Sequence, residues 1–235
     1  MLRKMSRFVV CILALLLATS TIFYARRVVV ADTQNDLATR SLENVQIEAQ
    51  SIGALLEKLS VRYDIPVGLE VASNDDERVD YQIDFQKGSL SDLLNDFVAR
   101  HQQYAWEIRD GVVNIFPKDN YRDALFRDLL ATQIDSFAVK KNTNCFELAK
   151  SLAATSEVKK VLAIYGTSYR ERSFSGGYFP QVGQNFALDV SNMTLRSTLN
   201  KVIKESPAAR FWLVTRNSDQ TVFLSVGARF EDSPI

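Results

Sequence analysis

Side chains that carry chemistry in small numbers are scarce in this 235-residue chain: it has two cysteines and one histidine. One His and one Cys cannot close a metal-ligand set, so no metal is expected. No Gly-rich phosphate loop is present: Ser175-Gly-Gly-Tyr178 lacks the lysine and the spacing of a P-loop. Net charge is also lacking. Lys plus Arg equals Asp plus Glu at 28 each, so no strong field draws in nucleic acid or an anionic membrane. No cofactor is expected. With 46% apolar and 24% charged residues, the chain is excluded from the disordered, collagen-like and multi-span membrane classes.

The first segment reads as an address. Arg3, Lys4 and Arg7 form a basic n-region, and Phe8 to Ala25 runs without a charge. Its centre, Cys11 to Ala18, is the apolar h-region of a secretory signal. Tyr24-Ala25 and Val30-Ala31 both end in a small residue suited to cleavage. An uncleaved anchor is the alternative, since residues 8–25 are just long enough to span a bilayer. Arg26 and Arg27 would then lie on the translocated side, against the positive-inside bias, which favours cleavage. Val9-Val10 does not provide the small residue expected before a lipoprotein cysteine at Cys11. Residues 1–31 are thus expected to be a signal peptide or anchor, with the rest exported to the periplasm. Cleavage leaves one cysteine, Cys145, and so no internal disulfide.

The body of the chain is a duplication. Tyr81-Gln-Ile-Asp-Phe85, Leu90, Leu94, Asn95 and Trp106 recur in order as Phe186-Ala-Leu-Asp-Val190, Leu195, Leu199, Asn200 and Trp212. Alternation of Ile83 with Phe85, and of Leu188 with Val190, predicts strands. Leu90, Leu93, Leu94, Phe97 and Val98 make one helical stripe, capped by Ser89 with Asp92 at the third position. Thr194 takes the capping place before Leu195, Leu199, Val202 and Ile203. Asp110-Gly111 between Trp106–Ile108 and Val112–Phe116 is the strongest hairpin signal. Asn217-Ser218-Asp219 plays the same part between Phe211–Thr215 and Thr221–Val226.

Each repeat has an upstream half. Val45–Ala49 reads as a strand, Ser51 caps a helix carrying Ile52, Leu55, Leu56, Leu59 and Tyr63, and Pro66–Val71 is a second strand. In the second repeat, Ser136–Val139 reads as a strand. Asn144 with Glu147 caps a helix carrying Leu148, Ala149 and Leu152, and Val161–Tyr165 reads as a strand. The expected fold is α+β: two tandem βαββαββ domains, with helices packed on one face of small mixed sheets. The domains span 41–118 and 131–228, joined by a charged helical connector at 119–130 and ending in a tail at 229–235. Strands Val112–Phe116 and Thr221–Val226 are expected at sheet edges, with Pro117 and Lys118 guarding the first.

Ser51 to Ser60, Ile65-Pro-Val-Gly-Leu69, Gly88 to Leu94 and the hairpin around Asp110-Gly111 ending at Pro117 resemble the short N-terminal domain shared by secretins and TonB-dependent receptors. The resemblance covers residues 45–117. Residues 134–226 join it only through the repeat. It implies a periplasmic protein–protein contact module. No receptor barrel or secretin pore region is read in residues 227–235, so gating and transport are not expected to carry over. The expected role is a non-enzymatic adaptor or assembly module binding another envelope protein.

Candidate chemistry is sparse. Cys145 lies near a predicted helix N-terminus, which favours a thiolate, and His101 is the only histidine. The opposing reading makes Cys145 a core residue and His101 a helix-terminal polar residue. Asn74-Asp-Asp-Glu-Arg78 reads as a solvated loop, with nothing apolar within it to split the carboxyl pKa values. The repeats differ most at residues 166–185, an insert holding Tyr169, Phe174, Tyr178 and Phe179 with Arg170 and Arg172. Aromatics with Arg are the composition of an interface hot spot; their other fate is a lid packed on the domain. Tyr169, Arg172, Phe174, Tyr178 and Phe179 are the candidate binding residues. Two other functions stay open: a peptidoglycan or small-molecule binding module using this loop, and a thiol enzyme built on Cys145.

Overall fold

A computed structural model describes residues 36–72, 81–170, 186–217 and 219–228. The proposed signal segment, the acidic run at 74–78, Ser218 and the tail lie outside them. Among the described residues no helix is long and apolar enough to cross a membrane.

The fold is α+β. The first repeat begins with β1 (Ser41–Ala49), α1 (Ile52–Tyr63) and β2 (Val67–Glu70). It continues with β3 (Tyr81–Ser89), α2 (Leu90–Arg100), β4 (Tyr104–Arg109) and β5 (Val112–Pro117). The helices start where their caps are. Ser51 Oγ accepts from the Ala54 N–H, and Ser89 with Asp92 closes a reciprocal capping box. Asp110 and Gly111 hold φ of 57° and 76°, the paired left-handed conformation of a type I′ turn.

The connector is not a free linker. After a single 3₁₀ turn at Asp119–Tyr121, α3 (Ala124–Ala131) buries Leu125, Phe126, Leu129 and Leu130. The second repeat comprises β6 (Gln133–Val139), α4 (Cys145–Ala153), α5 (Ser156–Ile164), β7 (Leu188–Thr194), α6 (Leu195–Glu205), β8 (Ala209–Arg216) and β9 (Val222–Ala228).

The structure corrects two expectations. Val161–Tyr165 is the last part of α5 and its C-cap, not a strand. Val158 and Leu162, four apart, are its buried residues, and that spacing belongs to a helix. The order within the second repeat is therefore βααβαββ. The other correction concerns β5, which lies inside a sheet, between β4 and β2. The edges of that sheet are β4 and β9.

β1 with β3, and β6 with β7, form two small antiparallel sheets in matching places. The remaining strands make one five-stranded sheet in the order β4-β5-β2-β8-β9. Each repeat supplies a hairpin, and β2 runs parallel to both neighbours, pairing Val67 with Val113 on one side and with Phe211 on the other. The pleat sends alternate residues to opposite faces. Val67, Leu69, Val113, Ile115 and Phe211 enter a core closed by α1 and α2. Val112, Trp212, Val214, Val222 and Leu224 enter a second core with α3 to α6. One sheet thus separates two cores, each built mostly by its own repeat.

Candidate functional site

The polar groups with the most defined surroundings lie on the second face of the shared sheet. Glu70 ends β2 and is fully buried. Arg122, from the turn before α3, grips it with Nε at 2.7 Å and Nη2 at 2.8 Å. Arg196, near the start of α6, donates from Nη2 at 2.8 Å. Both guanidiniums lie over the Phe116 ring, and Arg196 also faces Trp212. Burial pulls the Arg196 guanidinium below its usual pKa, and the Glu70 charge opposes that shift. Three charge-assisted bonds reach the Glu70 carboxylate, one at Oε1 and two at Oε2. It joins β2, the connector and α6.

Beside it the Trp212 indole N–H donates to Asn200 Oδ1 at 2.8 Å. In the first repeat Trp106 donates to Asn95 Oδ1 at 3.1 Å. The two Trp–Asn pairs that recur in the sequence thus make the same bond. Their surroundings differ: Trp212 is fully buried, whereas Trp106 is half-buried. Gly68 of β2 lies opposite Trp212, and a Cβ there would come within 2.2 Å of Cε2 of the indole.

A cavity of about 270 Å³ opens at the ends of β2 and β8, lined by Ala72, Asp123, Phe126, Thr215, Arg216, Asn217 and Gln220. Arg216 pairs with Asp123 at 3.1 Å and donates to Gln220 Oε1 at 2.9 Å. Its buried Nε has no hydrogen-bond partner among the described residues. Asp123 Oδ1 is held aside by the Leu125 N–H that it caps, at 2.9 Å.

Of the insert residues, Tyr169 packs half-buried against the second core and bridges in parallel to Val222. Val222 N–H donates to Ser168 O and Arg170 N–H to Val222 O, each at 2.9 Å. The Arg170 guanidinium pairs with Asp219. Arg172, Phe174, Tyr178 and Phe179 lie outside the described residues.

Cys145 and His101 are not brought together. Cys145 is buried in the second core at the first position of α4, and burial pushes its thiol up to about 12. Desolvation outweighs the helix terminus here. His101 is on the other side, with ring centroids 4.7 Å from Phe97 and 5.1 Å from Tyr81. Among the described residues no three His, Cys, Asp or Glu side chains are placed to hold a metal.

Sequence reasoning missed the Glu70 pairing and the cavity. Glu70 at the end of the apolar run Pro66–Val71 was the available signal, because an acid in a buried strand requires a partner. Compared with protein-family models, with curated proteins and with solved structures, the chain shows no match.

Proposed function

We propose that this chain is a non-enzymatic exported adaptor, which makes protein–protein contacts in the bacterial cell envelope. One observation carries the reading: the molecule joins its own two modules by laying a strand of one along the sheet edge of the other. The edges of that sheet, β4 and β9, offer the same main-chain pairing to a further strand. The buried polar groups support the same reading, since Glu70 is ion-paired with two arginines and burial favours the neutral thiol of Cys145. The basic and apolar start of the sequence supports export.

The test is crosslinking in living cells from a photoreactive residue at position 178, with fractionation to locate the chain. One dominant envelope protein in the adduct is the expected result. An abundant, exported chain with no protein adduct from position 178, nor from a photoreactive residue at position 109 at the end of β4, overturns the reading.

A second reading, a small-molecule binding module, is favoured by the cavity beside Arg216. Thr167 Oγ1 donates to Gln220 O at 2.8 Å, so this cavity adjoins the start of the insert. A soluble peptidoglycan fragment that raises the melting temperature, with the rise lost in Arg216→Gln, would favour it.

A further inference from the structure

In a two-residue hairpin the residues flanking the turn form a hydrogen-bonded pair, and such pairs alternate along the ladder. Arg109 pairs with Val112 across Asp110-Gly111, so Glu107 and Ala105 also bond inward to β5. Trp106 and Ile108 therefore direct their N–H and C=O groups to the outer side of β4. Val113 confirms the phase, because its N–H donates away from β4, to Pro66 O at 2.9 Å. Among the described residues, β4 has a strand on one side only.

The duplication shows what this edge is shaped to take. The counterparts of Trp106 and Ile108 are Trp212 and Val214, and both face β2. Val71 N–H donates to Val214 O at 3.0 Å. Gly68 lies opposite Trp212 and Glu70 opposite Val214, all in parallel register. Only glycine fits opposite the indole, because a Cβ would collide with the ring. Trp106 is held by Asn95 as Trp212 is by Asn200, so both indoles are anchored to the helix of their own repeat. Trp212 is fully buried with β2 beside it, and Trp106, with no strand there, is half-buried.

We infer that the outer edge of β4 accepts an extended segment of a partner protein, running parallel to β4 with a glycine opposite Trp106 and aliphatic residues on either side. This rests on the adaptor reading and names its docking surface. Backbone hydrogen bonds to Trp106 and Ile108 hold the segment, and the indole selects the glycine. The molecule's own Val67-Gly68-Leu69 is the template.

The probe is a synthetic peptide with the sequence of residues 65–71, Ile-Pro-Val-Gly-Leu-Glu-Val, added to the full exported chain. Amide hydrogen exchange is read over β4. The expected result is about tenfold slower exchange at Trp106 and Ile108 with saturating peptide. A peptide with leucine in place of its glycine should give no slowing. Nor should one methylated on the backbone nitrogens of its leucine and final valine, which correspond to Leu69 and Val71. Unchanged exchange over β4, or equal slowing by the leucine peptide, overturns the inference. So does slow exchange at β4 without peptide that deepens with protein concentration, which assigns the edge to a second copy. An envelope protein still captured from position 178 while the peptide fails would separate loss of this inference from loss of the adaptor reading.

Discussion

The indole N–H of Trp212 donates to Asn200 Oδ1 at 2.8 Å in a fully buried site, and the Asn200 amide donates onward to the Arg109 carbonyl at 3.3 Å. Asn200 thus ties its own repeat to the hairpin of the other. Asn95, in the matching place, serves the half-buried Trp106. Asn200→Leu is expected to lower the unfolding free energy by about 1–3 kcal/mol, because a buried indole donor loses its acceptor. Asn95→Leu should cost well under half as much, since water can replace the lost acceptor. Urea unfolding of the two variants checks the difference, and equal losses would contradict it.

Gly68 is required by a neighbour and not by its own backbone angles. Gly68→Ala is expected to cost about 1–3 kcal/mol through overpacking against the indole. The penalty should shrink when Trp212 is Leu, because the clashing ring is gone. A double-mutant cycle reads this coupling, and additive losses would mean that the two residues do not press on one another.

Glu70→Ala leaves two guanidiniums over Phe116 without their shared carboxylate. Breaking a buried ionic cluster from one side costs about 3–5 kcal/mol. Replacing the carboxylate and the buried cation together, as Glu70→Leu with Arg196→Met, should recover most of that loss. Denaturant midpoints of the single and double variants decide it.

Cys145 sets an alkaline limit. Its folded-state thiol is raised from 9.0 to about 12, so the fold favours the protonated form. The contribution is fully present below about pH 9 and is lost as pH rises toward about 12. Stability of the wild-type chain should fall more steeply over that range than stability of Cys145→Ala. At pH 8 a thiol reagent should modify Cys145 only after denaturant is added. Fast labelling of the folded chain would reopen the thiol-enzyme reading.

Much of the local architecture was legible because its causes are local. Ser51, Ser89, Asn144 and Thr194 cap the helices they precede. The stripe from Leu90 to Phe97 is buried, and Asp110-Gly111 turns the hairpin. Val161–Tyr165 misled because a short apolar run has no period long enough to separate strand from helix. The place of β2 between β5 and β8 was hidden for a different reason. Parallel neighbours far apart in the chain leave no turn signal between them. The Glu70 cluster was hidden likewise, since its two cations come from the connector and from the other repeat. Of the candidate binding residues, only Tyr169 falls within the described structure.

The central position of β2 also dictates an order of events. Synthesis delivers β2 long before β8, and Ser60, which contacts the Arg210 carbonyl at 2.7 Å, stands 150 residues ahead of it in sequence. Until the last hairpin arrives, the first module carries an unpaired parallel edge with a notch at Gly68. Closure of such a distant pair is slow, and open edges invite pairing with the wrong chain. The newborn half-molecule is thus the form most in need of a chaperone, and a chain stopped before residue 209 would stay in that form.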